Sequence, residues 1–113
     1  MINQINCIGR LGEEPKLAET THGKPMVSSS IAVNLSKGNP NVEWFNITAF
    51  DDHALTLANY CKKDDQVIIN GALTVQYWEN AHKENKSTWN IKVKEVHLQG
   101  KAAIRMNSKK ELF

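Results

Sequence analysis

The chain has 113 residues, 41% of them hydrophobic and 23% charged. That is enough for one domain around one core, and it excludes a disordered polyelectrolyte. A net charge of +2 permits a polyanionic partner without requiring one, because the distribution of charge matters more than its sum. Cys7 and Cys61 are too few for a disulfide framework. The opening MINQINCIGRLG lacks the charged start and apolar stretch of a signal peptide. No apolar run approaches the ~20 residues that span a bilayer, so a cytoplasmic protein with packed, reduced thiols is expected.

Residues 2–11 are predicted as the first strand, with Gly9 and Gly12 marking a bend or a close backbone approach. Residues 16–25 read as a loop or a poorly patterned edge strand ending in the turn signal His22-Gly23-Lys24-Pro25. Residues 27–36 alternate well: Val27, Ile31, Val33 and Leu35 face one way, and Ser28, Ser30, Ala32 and Asn34 the other. After the turn at 37–41 comes the strand 42–50, in which Phe45, Ile47 and Ala49 form a core set. Its other face carries Trp44, Asn46, Thr48 and Phe50.

A helix is predicted over 54–63, with Ala54, Leu57, Ala58 and Cys61 as its apolar stripe. Asp51 or Asp52 is placed to cap it, and Lys62 and Lys63 lie at its negative end. Residues 66–78 make the longest strand, with Gly71 giving relief where it curves. Residues 79–87, ENAHKENKS, read as a mobile hairpin tip. In the last strand, 88–98, Ile91 and Val93 alternate with lysines, and the switch of parity to Val96 and Leu98 predicts a bulge. Short curled strands with one helix between the third and fourth fit an all-β, five-stranded closed barrel. Residues 1–100 form that domain and 101–113 a short basic tail.

No enzyme is expected. His22, His53, His82 and His97 have no partner at metal-ligand spacing. Helix capping accounts for Asp51-Asp52-His53, and Gly9-Arg10-Leu11-Gly12 matches no phosphate-cradling loop. Neither a metal nor a cofactor is implied. What stands out is Trp44 and Phe50 on a polar strand face, with Trp78 ending another strand. Rings among polar groups suit the stacking of unpaired bases. Periodicity alone equally allows a sheet covered on both faces.

An ordered set of landmarks runs through most of the chain. It comprises Ile8-Gly9-Arg10-Leu11 and Pro15, Gly23, Ile31-Ala32-Val33-Asn34, then Trp44-Phe45-Asn46-Ile47 with Phe50. Ala54, the run from Leu57 to Lys63, the run from Gln66 to Leu73, and Trp78-Glu79-Asn80 complete it. In this set the chain resembles bacterial single-stranded DNA-binding proteins of the single-OB-domain type. The resemblance implies an OB-fold, base stacking on Trp44, Phe50 and Trp78, and a phosphate contact at Lys63. It also implies a homotetramer in preference to a dimer, with Asn6 and Ile8 of the first strand and Phe45 at the subunit contact; Phe45 could equally fill the barrel. The partner is single-stranded DNA, with RNA left open, in replication, recombination or repair. Candidates for phosphate neutralisation are Arg10, Lys37, Lys63, Lys83, Lys86, Lys92 and Lys94, each of which could instead be a solvated surface charge.

The departures are specific. Where well-known members carry a further stacking Trp, this chain has Leu35-Ser36-Lys37-Gly38, and Thr74 and Gln76 replace arginines. Trp89 shares parity with Ile91 and Val93, which favours a core role over a supplementary stacking one. The ending Glu111-Leu112-Phe113 has no acidic run, so the expectation is a short form without the family's partner-recruiting acidic tail. Two other readings stay open: an accessory factor like primosomal replication protein B, and a protein-interaction barrel.

Overall fold

The computed structural model describes residues 3–34 and 41–111. Its strands are β1 (Ile5–Leu11), β2 (Lys16–Glu19), β3 (Pro25–Val33), β4 (Glu43–Phe50), β5 (Gln66–Glu79) and β6 (Asn85–Leu98). Helix α1 (Asp51–Tyr60) joins β4 to β5, and helix α2 (Gly100–Glu111) follows β6. The sheet order is β1-β5-β6-β4-β3-β2, and β1 pairs with β3 as well, so five strands close into a ring with β2 hung on the side of β3. Among the described residues only β4 and β6 run parallel, and every other pair is antiparallel. This is the predicted five-stranded OB-fold barrel.

The helix prediction needs renumbering, because β2 is a strand in its own right and α1 therefore lies between the fourth and fifth strands. All four residues of β2 are exposed. An edge strand held by backbone pairing alone shows no alternation of polarity, which is why residues 16–19 were ambiguous as sequence.

Alternation builds the rest. Cys7 and Leu11, Val27, Ile31 and Val33, Ile47 and Ala49, Val67 and Ile69, and Ile91 and Val93 point into the barrel and are buried. Ser29 shares that inward face, and its hydroxyl donates to the Glu13 carbonyl at 2.9 Å, which removes the cost of burying it. The predicted parity switch in the last strand is a bulge: Asn70 pairs with Glu95 but Gly71 with Val93, leaving Lys94 as the extra residue. Residues 85–87 belong to β6 rather than to a loose tip. The tip is the turn at 80–84, ordered by the Asn80 side chain, which accepts from the amides of His82 and Glu84 at 2.9 and 3.0 Å. A charged composition satisfies an exposed ribbon as readily as a loop.

Helix α1 starts and stops three residues earlier than predicted. Asp51 and Asp52 sit inside its first turn and no side chain caps it. Cys61 is extended, although its amide still donates to Leu57 at 3.0 Å. Lys62 and Lys63 thus fall beyond the helix. Ala54 and Leu57 plug the barrel, while Cys61 is buried just beyond. Both thiols are free and buried. Burial pushes Cys7 up, and burial together with the nearby Asp65 charge pushes Cys61 up to about 12. A thiol pushed up in this way holds less thiolate than a free cysteine, which disfavours both as nucleophiles.

Helix α2 occupies most of the stretch that sequence left as a tail. Ala102 is fully buried, and the Arg105 guanidinium donates to Asp65 through Nη1 at 2.6 Å and Nη2 at 3.4 Å, and to the Tyr60 carbonyl at 2.7 Å. Burial alone would raise the Asp65 carboxyl, but the bonds from Arg105 and the Lys62 amide, with the charges of Arg105 and Lys101, hold it below the ordinary range. A carboxyl depressed on folding contributes stability above its unfolded pKa of about 3.9 and loses it as pH falls through the lower folded value. The wild type should therefore lose more thermal stability than Asp65→Asn between pH 6 and pH 3. Parallel melts with equal losses would remove Asp65 as the anchor of α2. No helix among the described residues is long and apolar enough to cross a membrane.

Candidate nucleic-acid interface

The outer surface of β3, β4, β6 and β5 is one continuous face, and strand pairing sets its neighbours. Across β3 and β4, Met26 lies beside Phe50, Ser28 beside Thr48, Ser30 beside Asn46 and Ala32 beside Trp44. Across β4 and β6, Asn46 meets Asn90 and Thr48 meets Lys92; across β6 and β5, Asn90 meets Thr74, Thr88 meets Gln76 and Lys86 meets Trp78. The result is a polar floor of Ser, Thr, Asn and Gln with rings at its edges. Thr48, Phe50, Thr74, Gln76, Asn90 and Lys92 rim a shallow depression of about 370 Å³ over Ile91.

All three predicted rings lie on this face. Trp44 is 55% exposed and Trp78 49%, while Phe50 is half-buried. Trp44 and Phe50 stand six residues apart on β4, or about 20 Å at strand rise. Trp78 lies two strands across, on the part of β5 that extends beyond the barrel. Its Nε1 donates to Thr88 Oγ1 at 2.8 Å, which ties the ring's one polar atom down and fixes its orientation. The Lys92 ammonium sits 5.8 Å above the Phe50 ring centroid, a cation–π arrangement.

The predicted cations divide. Lys86 and Lys92 share the face with the rings. Lys86 is held by Glu84 at 3.1 Å, a solvent-exposed pair that a phosphate could displace at little cost. Lys83 lies in the turn at the end of the β5–β6 arm and Lys94 at the bulge. Arg10 and Lys63 line a separate concavity with Lys62, Lys101 and Arg105, which shares no residue with the depression between the rings. There the Arg10 guanidinium donates to the Asp64 carbonyl at 3.0 Å. Lys37 lies outside the described residues.

On the other side, Asn6 and Ile8 project from β1. The Asn6 side chain accepts from Asn70, and Ile8 is half exposed. Phe45 points inward and packs against the core.

Trp89 corrects the sequence reading. It is 46% exposed, opposite Val75. Pairing of β6 with β4 begins only at Asn90, so at position 89 the barrel wall has ended and inward parity no longer means burial. Trp89 therefore shares the reverse face of the arm with Tyr77, which is also exposed. Sequence reasoning passed over Thr88 and Asn90 as well; their parity with Lys92 was the available signal. Among the described residues no cluster of His, Cys, Asp and Glu could hold a metal ion.

A closed barrel with rings and lysines gathered on one outer face defines an OB-fold domain of the aromatic-faced class. The model of the single-strand binding protein family matches residues 2–99, and the chain belongs to that family. It is 28% identical over 107 residues to single-stranded DNA-binding protein 1 of Xylella fastidiosa, covering 88% of this chain and 79% of that one. It is 29% identical over 119 residues to single-stranded DNA-binding protein 1 of Synechocystis sp., covering 99% and 98%. To the protein of the same name in Chlorobaculum tepidum it is 33% identical over 85 residues, covering 70% and 52%.

Proposed function

We propose that the chain binds single-stranded DNA with little regard to sequence, stacking bases on Trp44, Phe50 and Trp78 while Lys86 and Lys92 meet phosphates. No bond is made or broken; the protein holds a strand open and covered during replication, recombination or repair in the cytoplasm. The observation that carries this reading is the arrangement of the outer face: three rings about a polar floor, with two lysines set among them. Stacking needs only a base's π face, so it tolerates any sequence, and single-stranded RNA meets the same rings.

The protein acts as a homo-oligomer, a tetramer ahead of a dimer, with Asn6 and Ile8 of β1 at the contact. The support is that, among the described residues, β3 pairs with β1 only at Arg10 and Leu11, beside an open cleft lined by Ile8, Ala32 and Val42. Phe45 supports that contact from the core side.

Titration with oligothymidine tests the function. Tryptophan fluorescence should be quenched as bases cover the rings. With two phosphates neutralised by Lys86 and Lys92, log K should fall with log salt at a slope of roughly −1.4. Mass in solution, measured on the same samples, gives the oligomer. Quenching without salt dependence would remove the lysines from the site, and no binding at all would leave the protein-interaction reading.

A further inference from the structure

Trp44 belongs to β4, yet its indole reaches across β3 to the end of β1. A Cβ placed on Gly12 would stand 2.5 Å from Ser30 Oγ, 3.0 Å from Trp44 Cη2 and closer still to Cζ3. The far edge of the indole therefore rests in the space that a side chain at position 12 would fill. Gly12 is fixed in turn, since its amide donates to the Ser30 carbonyl at 2.8 Å. Its backbone is not in the left-handed region, so glycine is not needed there for conformation. What it supplies is room.

We propose that Gly12 is a positioning residue for base binding: the absent side chain makes the seat in which the Trp44 indole lies across β3. One part of the ring is held on Gly12 and Ser30, and the remaining half of its surface is offered to a base. A ring already fixed in its binding orientation loses little freedom when a base covers it, and affinity rises accordingly. A methyl group at position 12 forces the edge to lift, and a tilted ring no longer lies parallel to the path of the strand. The inference rests on the stacking reading above and extends the interface from the β4–β6 surface to the end of β1.

A double-mutant cycle tests it, with oligothymidine as the probe and affinity measured by anisotropy. Gly12→Ala should weaken binding about three- to ten-fold in the natural background, a part of the 1–3 kcal/mol that one stacked base supplies. In a Trp44→Ala background the same substitution should change affinity less than about two-fold, because no ring is left to displace. The Ser30 hydroxyl, 2.5 Å from the added methyl, must turn aside in either background, so its effect cancels in the cycle, and the melting temperature should fall by no more than a few degrees. Unchanged affinity in the natural background, or an equal loss in both backgrounds, overturns the proposal while leaving stacking intact. If Gly12→Ala does not fold, Gly12→Ala with Trp44→Phe, whose shorter ring vacates the seat, should fold and bind like Trp44→Phe alone. Failure of that pair also overturns it. If the natural chain does not bind the probe, the stacking reading itself fails, and this inference with it.

Discussion

Alanine at both Trp44 and Trp78 should weaken oligothymidine binding by about 10²- to 10⁴-fold, because each stacked base contributes on the order of 1–3 kcal/mol and every 1.4 kcal/mol is tenfold. The salt slope should hardly change, since Lys86 and Lys92 remain. Stability should fall by a few kcal/mol at most, because about half of each residue is covered and the rest already faces solvent, so titrations are made on the folded fraction. The single substitutions should differ in kind. Trp78 is oriented by its bond to Thr88 on a two-stranded arm, and Trp44 by packing on β3 and β1, so their losses should add approximately. Phe50→Ala should cost less than either, because the Lys92 ammonium already occupies one side of that ring and must yield to a base. Equilibrium titrations of the three single variants and the Trp pair check this. Affinity within two-fold of wild type for the double variant would sink the stacking mechanism, whatever the family.

Where a strand lies in the barrel wall, the period of two told which residues are core. Val27, Ile31, Ile47, Ile69 and Ile91 are all fully buried as their parity requires. The same rule put Trp44 and Phe50 on one face of their strand and Trp78 opposite the core set of its own, and the register of β4, β6 and β5 makes these one continuous side. The rule fails where the wall stops. Trp89 and Tyr77 keep the inward parity of Ile91 and Leu73, but the arm has left the barrel, and nothing local in the sequence records how far β4 runs beside β6. Charge was less legible still: Arg10 and Lys63 join a different concavity from Lys92 because the turn after α1 bonds to the end of β1 there, a consequence of closure rather than of spacing. Helix α2 was illegible for a related reason. Its stability comes from burying Ala102 and binding Asp65 through Arg105, contacts made forty residues away in sequence.

The largest stability effect should come from the smallest substitution. Gly71 is buried in β5 between Ile5 of β1 and Val93 of β6, at the point where the bulge shifts the register. A Cβ there would stand 2.8 Å from Ile91 Cγ2 and 3.0 Å from the Lys92 carbonyl carbon, with the carbonyl oxygen nearer still. At Gly12 the obstacles are two side chains, the half-exposed Trp44 ring and the Ser30 hydroxyl, which can turn aside; at Gly71 the obstacle is the backbone of a paired strand. That backbone cannot retreat without breaking the ladder that closes the barrel. Gly71→Ala should therefore cost about 3 kcal/mol, at or above the upper end of ordinary overpacking. For a domain of this size that lowers the melting temperature by roughly 10 °C or more. Urea unfolding should show a lower midpoint at an unchanged slope. Gly71 is the last β5 residue paired with β1 and opens the stretch in which β5 and β6 pair alone and carry Trp78, so a shift of β6 there should also make the folded fraction of the variant bind oligothymidine more weakly than wild type. A variant as stable as wild type would mean that β6 moves aside freely at Lys92, and the position of the arm would then need another cause.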